Sequence, residues 1–106
     1  MHITTQDKFE DKIITETLGL VRGNTIRARH VGKDIMAGLR NLVGGEVKEY
    51  TKMLAESREQ AIDRMVKEAE DKGADGIVCV RFVTSPVMQS AAELLAYGTA
   101  VRLEDK

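Results

Sequence analysis

The run EVKEYTKMLAESREQAIDRMVKEAEDKGADGIVCVRFVT, residues 46–84, changes its hydrophobic period once, at Gly73, and that change decides the fold class. Before it, Val47, Tyr50, Leu54, Arg58, Ala61, Ile62, Met65 and Ala69 recur at helical spacing, with no proline or glycine across residues 46–72. The spacing predicts a helix of some seven turns, about 39 Å long at the standard rise. Gly73 is a natural stop, because glycine accepts the left-handed backbone that ends many helices, and Lys72 complements the negative helix end. After it, residues 76–84 form a nearly unbroken apolar run of strand length.

Downstream, residues 93–104 predict a last strand, with Ala96, Gly98 and Ala100 on one side and Leu95, Tyr97, Thr99, Val101 and Leu103 on the other. The small side is flat enough for a helix to lie close. Pro86 falls between the two strands, where a loop tolerates a missing amide proton. Upstream, residues 12–22 (KIITETLGLVR) alternate as a strand, Gly23-Asn24 is a turn signal, and residues 25–30 read as a short second strand. Asp34 is an N-cap for a helix of about ten residues on which Ile35, Met36, Leu39, Leu42 and Val43 share a face, ended by Gly44 and Gly45. The expected order is β(β)ααββ: one α+β domain over residues 1–106, a small, mainly antiparallel sheet with a short and a long helix on one face.

Both strand faces are apolar in the second half of the chain, since Val78, Val80 and Phe82 oppose Ile77, Cys79 and Val83. Two helices from one chain cover only one sheet face well. A second copy is the economical cover, so the sequence predicts a homo-oligomer.

Arg58 is the odd residue of the helical stripe. Its neighbours three and four positions away are Leu54, Ala55, Ala61 and Ile62, none of which can pair with a guanidinium. A core-facing cation needs a partner, and Glu16, on the more apolar face of the first strand, is the candidate. Arg40 and Arg81 lie beside apolar positions and are candidates for the same network; Tyr50 and Tyr97 read as core-edge residues. Cys79, mid-strand among aliphatic residues, reads as a small buried hydrophobe, with a metal-ligand role as the minority alternative. His2 and His30 read as solvated imidazoles.

Composition narrows the function. Seventeen acidic and sixteen basic residues are interspersed, giving a net charge of -1 and no basic stripe for nucleic acid or anionic lipid. One cysteine forms no internal disulfide, residues 1–12 (MHITTQDKFEDK) have no signal-peptide apolar core, and no run approaches the ~20 apolar residues that cross a bilayer. A cytoplasmic protein is expected. Neither a phosphate loop nor a Ser/His/Asp or Cys/His arrangement is present.

The run IITETLGLVRG from Ile14, the GLRNLVGG segment, SREQAIDRM, the turn KGADGIVCVRF and the closing GTAV together resemble the YbjQ family, often labelled heavy-metal-binding, over nearly the whole chain. The resemblance implies a dodecin-like α+β subunit assembled as a ring, commonly a pentamer, in bacterial or archaeal cytoplasm. The family's GGR motif stands here as Gly44-Gly45-Glu46, an acidic residue in place of a basic one, which argues against anion binding at that corner. Flavin, bound by some proteins of dodecin-like fold, is not expected with no Trp and two Phe. The reading is a non-enzymatic homo-oligomer with a heavy metal or small ligand at an interface or pore. The alternative is an enzyme with an intersubunit site built from Arg58, Glu16 and Tyr50.

Overall fold

Gly73 ends the long helix by a complete double hydrogen-bonded cap. Its backbone has φ of 77°, its N–H donates to the Glu70 carbonyl at 2.9 Å, and the Ala74 N–H donates to the Ala69 carbonyl at 3.0 Å. The computed structural model describes residues 1–28, 48–88 and 91–106. Within them the order is β1 (His2–Ile3), β2 (Lys12–Ala28), α1 (Lys48–Asp71), β3 (Gly76–Met88) and β4 (Ala91–Asp105). The four strands form one mixed sheet in the order β1-β3-β4-β2, with β2–β4 and β4–β3 antiparallel and β1 parallel to β3.

This is the α+β class that the period change predicts, with the long helix on one sheet face. Several finer expectations are corrected. Residues 23 and 24 do not turn the chain: β2 runs straight through them, with Gly23 opposite Ala96 and Asn24 opposite Leu95, so the expected second strand is the continuation of the first. Pro86 is not in a loop but inside β3, opposite Ala92 and beside a register shift, the kind of irregularity at which a strand accommodates proline. The sheet also gains a parallel strand, β1, too short to leave a periodic signal. The predicted helix at 34–43, with Arg40, Gly44, Gly45 and His30, lies outside the described residues.

The core sits between α1 and one face of β2, β4 and β3. Val21, Ala61, Met65, Ala69, Ile77, Val80, Ala96 and Ala100 form a single buried cluster. Ala96, Gly98 and Ala100 are all buried, as the flat side of the last strand requires. The helix is closest over Gly23, where a Cβ would stand 2.2 Å from the Ala61 carbonyl oxygen and 2.4 Å from the Met65 amide nitrogen. Higher up, the Thr25 hydroxyl, buried, donates to the Ser57 carbonyl at 3.4 Å. The helix therefore runs antiparallel to β2, its middle over residues 23–25 and its C-terminal end toward Gly73 and Arg102.

Candidate functional site

The helix stripe is one position out of phase with its sequence reading at its upper end. Ser57, Ala61, Met65 and Ala69 are buried at strict four-residue spacing, and Arg58 is exposed. Glu16 is exposed as well, and its carboxylate pairs with Arg102 at 3.4 Å. Arg58 adjoins Ser57, which lies over Thr25, nine positions along β2 from Glu16; at about 3.3 Å per residue that is roughly 25–30 Å even allowing for bulges. The proposed Arg58–Glu16 pair does not form within the chain. Tyr50 stands in the first turn of α1, and its side chain lies outside the described residues. The enzyme reading therefore has no assembled constellation among the described residues.

Cys79 is also reassigned. A register shift separates Val78 from Arg81, and Cys79 occupies it with φ of 58°, a left-handed value rare for a side-chain-bearing residue. Its N–H donates to the Gln6 carbonyl at 2.8 Å and the Val80 N–H to the Thr4 carbonyl at 3.0 Å, so the bulge fastens the N-terminal segment along β3. The thiol is half-buried rather than buried. The bulge also resets the alternation: Ile77 and Val80 both join the helix-side core.

Among the described residues no group of three or more His, Cys, Asp or Glu side chains could hold an ion. His2 stacks edge-on with Phe9, ring centroids 6.0 Å apart, at a cleft of about 500 Å3 that also carries Lys12, Glu70, Asp75 and Leu103. Two of its charged groups have structural tasks: Asp75 accepts the Leu103 N–H at 3.0 Å and Lys12 donates to Asp105 at 2.7 Å. A soft metal wants several thiolate or imidazole donors within about 2.3 Å of one point, and the donors this chain supplies there do not meet that need.

The Lys12–Asp105 bond has a pH signature. Its hydrogen bond holds the Asp105 carboxyl below its ordinary 3.8 and lifts the Lys12 ammonium above its ordinary 10.5. The Asp105 contribution is complete above 3.8 and is lost as pH falls through the lowered folded value; that of Lys12 is complete below 10.5 and is lost as pH rises through the raised one. The melting difference between wild type and Asp105→Asn is expected to be small, because the pair is exposed, and to vanish at both extremes. A difference unchanged at low pH would remove this assignment.

The second sheet face is the feature that sequence reasoning located without resolving. At its lower end the N-terminal segment covers it, and the Phe9 ring comes within 3.2 Å of where a Gly76 Cβ would stand. Above that, cross-strand partners set out three rows: Leu20, Thr99 and Val78; Arg22, Tyr97 and Arg81; Asn24, Leu95 and Val83. Leu20 is 59% exposed, Val83 42%, and Ile26, opposite Glu93, 60%. Arg81 is held in place, donating to the Thr5 carbonyl at 2.7 Å and to its neighbour Val80 at 2.9 Å. Asn24 donates to Glu93 at 3.1 Å.

Among the described residues, one helix lies on a four-stranded mixed sheet and no element covers the upper end of the far face, which defines a small α+β domain whose candidate site is a surface rather than a pocket. A family model described as "Putative heavy-metal-binding", YbjQ_1, matches residues 1–104, and the chain belongs to that family. A UPF0145 protein of Methanosarcina acetivorans is 60% identical over 106 residues, covering 100% of both chains. Another from Dehalococcoides mccartyi is 63% identical over 100 residues, covering 94% of this chain and 95% of its own. A crystal structure of a DUF74-family protein of unknown function from Pediococcus pentosaceus superposes with a TM-score of 0.70 at 18% identity, covering 98% of each chain, and shares the fold. No helix among the described residues is long and apolar enough to cross a membrane.

Proposed function

We propose that this chain works as a non-enzymatic homo-oligomer, a ring of about five copies in which the bare upper face of the sheet is covered by a neighbouring copy and a small ligand is held at that contact. The observation that carries the reading is the exposure of Leu20, Ile26 and Val83 on the sheet face opposite α1, which no helix among the described residues covers. Large aliphatic side chains exposed along one sheet face are stabilised by cover, and a contact between different surfaces of identical copies makes a ring when its rotation closes. The family description brings a heavy metal into consideration as the ligand, and a ring could gather one Cys79 thiol from each copy about its axis.

Native mass spectrometry of the purified protein tests assembly. A discrete species of several subunits is expected, and the double variant Leu20→Glu, Ile26→Glu is expected to dissociate it while circular dichroism stays unchanged, since both side chains are exposed in the single chain. A wild type that is monomeric at micromolar concentration would overturn the reading.

A further inference from the structure

The geometry points to an anion-binding site on the bare sheet face, built from Arg22, Tyr97 and Arg81 and suited to a small carboxylate- or phosphate-bearing molecule. The inference deepens the proposed function, because the row lies on the face that a neighbouring copy would cover.

Register places the three residues side by side: Arg22 is opposite Tyr97 and Tyr97 is opposite Arg81. The two arginine backbones are therefore two strand spacings apart, about 10 Å, with a phenol between them. That separation lets two guanidiniums converge on one anion from either side. Like charges facing the same space need a counter-charge, and neither arginine has one among the described residues. The two ion pairs formed among the described residues, Lys12–Asp105 and Arg102–Glu16, both lie toward the other end of β2. Glu93, the nearest carboxylate along β4 on this face, already accepts from Asn24.

Arg81 is fixed before any ligand arrives. Its Nη1 donates to two backbone carbonyls, Thr5 and Val80, which leaves the other guanidinium nitrogens to donate outward with less freedom to lose. Arg22 is exposed and has no acidic partner among the described residues, and the half-buried Tyr97 adds a hydroxyl donor between the two. Planar guanidiniums suit the paired oxygens of carboxylate and phosphate, and the aliphatic row at Leu95 and Val83 adjoins them. The same surface repels a cation, so the chemistry of this face is opposite to that of a heavy-metal site.

The test is isothermal titration of the intact protein with citrate and with inorganic phosphate at constant ionic strength, set against cupric ion, with subunit number read in parallel by native mass spectrometry. Saturable binding of citrate or phosphate is expected, weakened about tenfold or more by Arg22→Gln and several-fold by Tyr97→Phe, as loss of a charge-assisted and a neutral hydrogen bond implies. Both variants are expected to keep the wild-type subunit number and melting curve. An assembled protein that binds neither anion overturns the site and leaves the ring standing. A monomer that binds them supports the site and removes the ring. If Arg22→Gln dissolves the assembly instead of weakening anion binding, the arginine row serves the subunit contact and the ligand site is wrong. Preference between the two anions separates a carboxylate ligand from a phosphate one.

Discussion

Gly23→Ala is expected to lower stability by about 3 kcal/mol or more, at or beyond the upper end of ordinary overpacking, and the melting temperature by about 10–20 °C. The new methyl would lie 2.2 Å from the Ala61 carbonyl oxygen, 2.4 Å from the Met65 amide nitrogen and 2.8 Å from the Arg64 Cβ. Two of these are helix backbone atoms, which cannot rotate aside as a side-chain tip would. The whole of α1 has to lift from β2, loosening the contacts of Ala61 and Met65 with the sheet. Against a total stability of about 5–15 kcal/mol that is a large fraction. Gly19→Ala is the control. Gly19 has φ of 107° but no atom within 4 Å of its would-be Cβ, so it carries backbone strain without a clash and is expected to cost less. Equal losses from the two substitutions in urea titrations would show that conformation, not helix proximity, explains the glycine at 23.

That contact also explains what the sequence reader could and could not see. Ala61, Met65 and Ala69 fit both the stripe expected from periodicity and the one observed; the two diverge only at the N-terminal half, where a three-residue step reaches Arg58 and a four-residue step reaches Ser57. Helical period alone cannot choose between them, because both lie on neighbouring parts of the same face. The strand beneath does choose. Gly23 and Thr25 bring the helix so close that only small residues fit, and Ser57 is small. The same glycine, beside asparagine, imitates a turn in a one-dimensional reading, since nothing in the sequence says that a helix will need the space. Bulges hide in the same way. Cys79 follows the apolar alternation of its run, and only the register shift after Val78, with the N-terminal segment bonded along that edge, shows that it steps out of the pattern.

The candidate site was legible to a similar depth. Two-sided apolar character in residues 76–104 is a property of composition along a strand, and it survives in the bare upper face. The Arg22–Tyr97–Arg81 row is a property of register: Arg81 and Tyr97 are 16 positions apart and Arg22 is 59 from the nearer of them, and strand pairing brings the three together. The Arg58–Glu16 pair that face patterns suggest does not form for the same reason, because register sets the two at different heights on the sheet.

Met65→Ala is expected to cost about 2–5 kcal/mol, the range for removing a long apolar side chain from a closed core. Met65 is fully buried and stands first among the largest fully buried side chains, ahead of Ile77, Val21 and Val101. The other fully covered positions of the helix are Ser57, Ala61 and Ala69, which bring little area of their own, and Val66 packs against the cluster only partly buried. The smallness of those three lets the backbone approach Gly23, and the long, unbranched Met65 side chain is buried in the same cluster as Val21 and Ile77. Truncation leaves a cavity at this fully buried position, and the helix cannot move in to close it because its backbone already lies against Gly23. Met65→Leu, nearly equal in volume, is expected to lose less than about 1.5 kcal/mol. Urea denaturation of the three proteins separates the cases: the midpoint should fall steeply for alanine and slightly for leucine with the slope unchanged. An alanine variant within about 0.5 kcal/mol of wild type would mean that the helix is held by something other than this core, because surface-type losses of that size do not arise from an anchoring side chain.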